Sequence, residues 1–164
     1  MSIEKIVSGG QSGVDRAALD AAIMLGLQYG GWCPSGGWAE DYPNSPGVLT
    51  TYPLLQETPS HKPNQRTEWN VRDSDATMIL LFQHHVERSP GTELTASIAK
   101  SFSKPYIIIS LQERTCADEI VTWLSAFNKS IVLNIAGPRE SENPGIYDIS
   151  KRLLISTLNR LLTT

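Results

Sequence analysis

The residues best placed to do chemistry lie at the start of the chain: Ser8-Gly9-Gly10-Gln11-Ser12-Gly13-Val14-Asp15-Arg16. A short apolar strand, Lys5 to Ser8, runs into a Gly/Ser-rich turn that opens directly into an amphipathic helix. The first N–H groups of a helix have no intrahelical partner and sit at its positive end, so this layout suits an anion. Gly9, Gly10 and Gly13 let a ligand approach the backbone closely, and Ser8, Gln11 and Ser12 supply hydrogen bonds. Arg16, in the first helical turn, can add a charge-assisted bond. Asp15 has two readings, as a ligand contact or as the acid of an S-x-x-D capping box begun by Ser12. No Lys-Ser/Thr follows the last glycine and the spacing is not GxGxxG, which disfavours a triphosphatase loop and a nicotinamide site.

Three further glycine-bearing loops follow apolar strands. Pro34-Ser35-Gly36-Gly37 follows Leu27 to Cys33; Ser89-Pro90-Gly91-Thr92 follows Ala76 to Phe82; Ala136-Gly137-Pro138-Arg139 follows Ile131 to Ala136. Gly91-Thr92 also opens a helix, with Ser89 or Thr92 as its N-cap, and offers a second set of N–H groups. Arg66 and Asn70 stand four apart, on one face of a short helix expected over Arg66 to Val71. Asp73 and Asp75 flank a turn into a buried strand. They can cap backbone groups there or, with a phosphate, hold Mg²⁺. His84-His85 follow a strand end, and with His61 remote in sequence they make a weak metal set.

These loops need a scaffold that brings them to one edge. Val14, Ala17, Ala18, Ala21, Ala22 and Leu25 recur at helical spacing, so Val14 to Leu25 reads as a helix whose alanines suit close packing on a sheet. Ala76 to Phe82 is the unbroken apolar run of a buried parallel strand. Helices are expected over Thr92 to Phe102 (Leu94, Ile98 and Phe102 on one face), Cys116 to Phe127, and Ile146 to Leu162. In the last, Ile149, Leu153, Leu154, Leu158 and Leu161 face inward. Strands are expected at Tyr106 to Ser110 and Ile131 to Ala136. Five strands alternating with helices imply a Rossmann-like α/β fold: a doubly wound parallel sheet with helices on both faces. All 164 residues fit one such domain. Residues 34–63, rich in Pro, Gly, Ser, Thr and Asn, read as a long loop insertion that covers a ligand. In open parallel sheets ligands bind beyond the carboxyl ends of the strands, where all four glycine loops fall.

With 40% apolar and 19% charged residues the chain can bury a core, and disorder is excluded. A net charge of −3 gives no electrostatic grip on nucleic acid or an anionic membrane. Cys33 and Cys116 are too few and too far apart for a disulfide framework or a zinc site, so a reducing, cytoplasmic setting is expected. Met1 to Lys5 shows no signal-peptide pattern, and no apolar stretch approaches the ~18 residues needed to span a bilayer.

Several of these segments resemble the molybdenum carrier family. They are Ser8 to Asp20, Gly31-Trp32-Cys33-Pro34-Ser35-Gly36 followed by Ala39-Glu40-Asp41, and Tyr52-Pro53-Leu54 with Glu57-Thr58-Pro59. Arg66 to Thr77, Gly91-Thr92-Glu93-Leu94-Thr95 and Leu133 to Ser141 complete the set, so nearly the whole chain is covered. That family is similar to the lysine-decarboxylase-like and DNA-processing-protein Rossmann folds, which bind nucleotide-derived ligands. The resemblance implies a carrier of molybdenum cofactor, a pterin bearing a phosphate, and a homo-oligomer, dimer or tetramer. An adenine nucleotide is the alternative ligand, with a phosphoribohydrolase or a nucleotide-sensing module as the alternative functions. The phosphoribohydrolases carry a PGGxGTxxE loop. Here Pro90-Gly91-Thr92-Glu93-Leu94-Thr95 puts Thr95 at the position of the catalytic acid and displaces Glu93 by two. The resulting expectation is a binding protein rather than an enzyme. Its phosphate-bearing ligand would contact Ser8 to Gly13, Asp15, Arg16, Gly36, Arg66, Asn70, Asp75, Gly91, Thr92, Gly137 and Arg139, with no metal held by the protein's own side chains.

Overall fold

The computed structural model describes residues 3–82 and 90–163. Five parallel strands form the central sheet: β1 (Ile3–Val7), β2 (Gln28–Gly30), β5 (Ala76–Leu81), β6 (Tyr106–Ser110) and β7 (Ile131–Ala136). Two further short strands, β3 (Trp32–Cys33) and β4 (Gln56–Glu57), pair parallel beside it. The helices are α1 (Val14–Met24), α2 (Pro63–Arg72), α3 (Pro90–Ser101), α4 (Cys116–Ser125) and α5 (Ile146–Leu162).

The sheet order is β2-β1-β7-β5-β6. If the last strand, β7, is counted first and the others follow in sequence, the order becomes 3-2-1-4-5, that of the dinucleotide-binding fold. The strand that would open such a fold here closes the sheet. It pairs with β1 on one side and β5 on the other, with Ile6 opposite Leu133 and Met78 opposite Ile135. In that topology the crevice at the change of winding direction lies between β7 and β5.

Buried on both faces, β5 sorts its side chains by parity. Met78 and Leu80 join the core under α1, α4 and α5, with Ile6, Leu133, Ile135, Leu154 and Leu158. Ile79 and Leu81 face the other way, against Ala96 of α3. The inward face of α3 is Thr92, Thr95, Ala96 and Ala99, and Phe102 is exposed. The expected Leu94–Ile98–Phe102 stripe is therefore not its buried face: small residues let the helix lie close to the sheet. In α5, Ile149 is likewise exposed, and Ile146, Ser150, Leu154, Thr157 and Leu158 point inward.

The expected single strand Leu27 to Cys33 is broken at Gly31. Its φ is +126°, and a Cβ there would lie 2.3 Å from the Ser8 carbonyl oxygen. The backbone of β1 passes too close for any side chain, so the chain bends out of the sheet and restarts as β3. The expected structureless segment 34–63 is also ordered. It contains helical turns at Ser35–Gly37 and Gly47–Thr50, the strand β4, and a small core of Val48, Tyr52 and Leu55 against Leu19, Cys33 and Ala39. α2 starts three residues before the expected Arg66, with Pro63 in its first turn, a position where the missing N–H costs nothing.

Candidate functional site

Beyond the carboxyl ends of β7 and β5 lies a cavity of about 240 Å³. Its wall combines three of the glycine loops: Gln11 and Asp15 from the first, Gly91, Thr92 and Thr95 from the start of α3, and Gly137 and Arg139 from the β7–α5 loop. Arg66 reaches in from α2.

The first loop is largely occupied by the protein itself. Ser8 Oγ donates to the Asp15 carbonyl (2.8 Å), and the N–H of Gly10 approaches Ser8 Oγ at 3.4 Å. The N–H of Gln11 points to Asp15 Oδ2 (3.4 Å), and that of Ser12 donates to Gln11 Oε1 (3.0 Å). The first N–H of α1, on Val14, donates to the Pro138 carbonyl (3.2 Å). Gly13 is the N-cap residue of α1 and the S-x-x-D box does not form. Asp15 instead receives Arg66 Nη1 at 2.9 Å. That guanidinium lies over Gly9, where a Cβ would stand 1.9 Å from Nη1. A ligand approaching Gly9 would meet Arg66 rather than bare backbone.

Arg16 does not line this cavity. It grips Asp41 with two bonds (2.8 and 2.9 Å), donates to the Gly10 carbonyl (3.1 Å), and packs over the rings of Tyr42 and Tyr52. Its work is to clamp segment 34–63 onto α1. Ser12 Oγ bonds Glu40 and receives the N–H of Glu140 (3.1 Å), while Ser141 Oγ reaches Glu40 Oε2 (2.5 Å). Burial tends to raise the Glu40 pKa, but these hydroxyl and amide bonds outweigh it and hold the carboxylate below its usual range. Asn70 is buried and locked to both backbone groups of Trp32 (2.7 and 2.9 Å), so it positions β3 rather than facing the cavity. Asp75 stands at the amino end of β5, the opposite edge of the sheet. There it bonds Lys129 (2.7 Å) and the N–H of Val132 (2.8 Å), which lowers its pKa. Asp73 pairs with Arg72 and the Trp32 indole. Both acids serve strand packing. Gly36 lies in a neighbouring cavity. Ser89, His84 and His85 fall outside the described residues.

The start of α5 is closed too: Glu140 accepts the N–H groups of Gly145 (2.5 Å) and Tyr147 (2.9 Å). The first turn of α3, through Gly91 and Thr92, borders the cavity, as does Asp15 in the first turn of α1. Among the described residues, nothing lies within 4 Å of a Cβ built on Gly91.

Two cations flank that turn. Arg139 is a third exposed and meets Glu142 at 3.3 Å. Arg66 directs one nitrogen at Asp15 and leaves Nε buried without a partner. A buried donor left unpaired marks an incomplete environment. Asp15 is fully enclosed; burial pushes its pKa up, and the opposing pull of Arg66 and the Gln11 N–H does not cancel it. Thr95, at the position where the phosphoribohydrolases carry an acid, donates its hydroxyl to the Gly91 carbonyl (2.8 Å).

Two contributors escaped the sequence reading. The capping of α1 by the Pro138 carbonyl joins distant segments, and that of α5 by Glu140 spans a turn that its periodicity does not show. In the neighbouring cavity, Lys62 drew no reading of its own, and His61 was weighed only with His84 and His85 as a weak metal set. A signal was present in the second case: two basic residues just before the proline that starts α2.

No curated protein matches the chain. Among solved structures, it is similar to a crystal structure from Syntrophus aciditrophicus SB that bears the name "Putative molybdenum carrier protein". The TM-score is 0.81 and the identity 39%, over 96% of this chain and 95% of that one. Residues 6–158 match the circularly permutated YpsA SLOG family, in keeping with a sheet whose order is regular only when β7 is counted first. The chain belongs to that family.

Proposed function

We propose that the protein binds a phosphate-bearing small molecule in the crevice between β7 and β5, and that this molecule is molybdenum cofactor held as cargo. The observation that carries the reading is the cavity beyond β7 and β5, which the start of α3 lines together with Arg66 and Arg139, the Nε of Arg66 being buried without a partner among the described residues. An anion there completes the guanidinium of Arg66 and meets the positive end of α3. The name borne by the similar structure, a molybdenum carrier, supports molybdenum as part of the cargo.

The residues present fit such a cargo through its organic part. Among the described residues no trio of His, Cys, Asp and Glu gathers to hold a metal. Burial pushes the Cys33 thiol up to about 11, far from the thiolate a soft metal prefers. On this reading the protein grips the phosphate, and the pterin is what holds the molybdenum.

Gly91→Asp tests the reading. The new carboxylate sits in the first turn of α3, where a negative charge stabilises the helix by about 0.3–1 kcal/mol. The same charge occupies the anion's place. We expect unfolding stability equal to or above wild type, and binding of neopterin phosphate, followed by calorimetry, weakened by about 10- to 100-fold. Unchanged affinity in a folded Gly91→Asp protein would remove α3 from the site. Asp75→Ala, at the far edge of the sheet, is expected to leave the same affinity untouched.

A further inference from the structure

Segment 34–63 builds a second cavity, of about 550 Å³, against the first. The two share Arg139, which lines both. Trp38, Pro43 and Pro63 give the second cavity flat apolar walls, Lys62 and Arg139 give it positive charge, and His61 adds an imidazole. No carboxylate lines it. In a chain with 17 acidic and 14 basic side chains, that exclusion is local. Lys62 makes no ion pair with any described residue. The rim is held from outside by the Gly36 N–H on Glu57 (2.5 Å) and the Ser35 N–H on the Ser60 carbonyl (3.0 Å). The cavity thus stands open while its frame is fixed.

We infer that this second cavity is the ring subsite of the ligand: a planar aromatic heterocycle lies against Trp38, its electron-rich edge meets Lys62 and His61, and its phosphate passes Arg139 to reach α3. The assignment rests on the reading of the α3 cavity as the phosphate site. At about 240 Å³ that cavity lies below the range of about 300–1,000 Å³ common for small-molecule sites, and the two together lie within it. The chemistry selects a heterocycle of two fused rings bearing an anionic substituent, which both a pterin phosphate and a purine nucleotide provide. Aromatic walls recognise the ring's face and the cations its carbonyl edge.

The test is a calorimetric titration of the full chain with inorganic phosphate, neopterin phosphate and AMP, repeated on Trp38→Leu and on Lys62→Gln. Lys62 is exposed, so its variant keeps the test alive if Trp38→Leu fails to fold. The expected result is that a ring-bearing ligand binds more tightly than phosphate. Each substitution then weakens that ligand, by about 5- to 150-fold for the loss of a stacking ring, and leaves inorganic phosphate unchanged. Whichever of neopterin phosphate and AMP shows the larger loss identifies the source of the ring. If the ring adds no affinity, or if the variants leave ring-bearing ligands unaffected, the ring subsite is overturned while phosphate binding that Gly91→Asp abolishes keeps the α3 site. If ring-bearing ligands depend on Trp38 and Lys62 but not on Gly91, the ring subsite stands and the α3 site falls. No binding by any of the three overturns both.

Discussion

Replacing Arg66 by Met is expected to cost about 3–5 kcal/mol of unfolding stability at neutral pH, because it leaves the Asp15 carboxylate buried and unpaired. The side chain of Asp15 is 3% exposed and that of Arg66 14%, so solvent screens the pair little. Burial already raises the Asp15 pKa in the folded state, against the pull of Arg66. A carboxyl whose folded pKa lies above its unfolded value takes up its proton more readily when folded. Its contribution to stability is therefore greatest at low pH and falls as the pH climbs through the folded pKa. Removing Arg66 raises that pKa further. The deficit of Arg66→Met should thus be large near about pH 7 and shrink towards about pH 5 as Asp15 protonates. Urea denaturation of both proteins at the two pH values measures it. A deficit that stays constant or grows on acidification would show that Asp15 and Arg66 are not coupled as described.

Gly13→Ala is expected to be the other severe change, for a purely steric reason. Gly13 has φ +78° and ψ −130°, a conformation that side chains rarely adopt. An added Cβ would lie 2.4 Å from the Pro138 carbonyl oxygen and 2.8 Å from backbone atoms of Arg139 and Glu140. All three are main-chain atoms, so relief requires moving the β7–α5 loop away from α1. That movement breaks the bond from the Val14 N–H to Pro138 and displaces Arg139. Strain and lost contacts together amount to about 3 kcal/mol or more. Gly26→Ala is the internal reference: its φ is +67°, but nothing lies within 4 Å of the added atom. It should cost about 1–2 kcal/mol, the left-handed penalty alone. Equal losses at the two glycines, read by thermal or urea unfolding, would mean that the contact with Pro138 does not constrain the loop.

Local signals in the sequence carried most of the architecture. The alanine spacing from Val14 to Ala22 places α1 with an error of one residue at its end, and the apolar run from Ala76 places β5 in the same way. Both features are written in consecutive residues and need no partner to be read. What escaped is what depends on distant partners. Nothing in the periodicity of Ile131 to Ala136 says that this strand enters between β1 and β5. Gly31 looks like any glycine in a strand until the Ser8 carbonyl is placed 2.3 Å from its missing Cβ.

The site divided along the same line. The glycine loops, and the edge of the sheet they reach, follow from strand-turn-helix order, so Gln11, Asp15, Arg66, Gly91, Thr92, Gly137 and Arg139 come together as residue type and position suggested. Arg16 and Asn70 had the right chemistry for a ligand but found protein partners instead: Asp41 lies 25 residues from Arg16, and Trp32 lies 38 from Asn70. A cation that could bind an anion and a cation that already holds a carboxylate look identical in a sequence. The anion site we propose accordingly lies at the start of α3 rather than in the first glycine loop, which the protein fills.

The central claim is that a phosphate-bearing molecule is held at the start of α3. Native mass spectrometry of the protein as purified, with molybdenum analysis of the same sample, tests it most directly when Gly91→Asp is run alongside. The account predicts a wild-type species heavier than the bare chain by a phosphate-bearing pterin with its molybdenum, and a folded Gly91→Asp species at the mass of the bare chain. An adduct retained equally by both proteins, or a bound molecule with no phosphate, would contradict it.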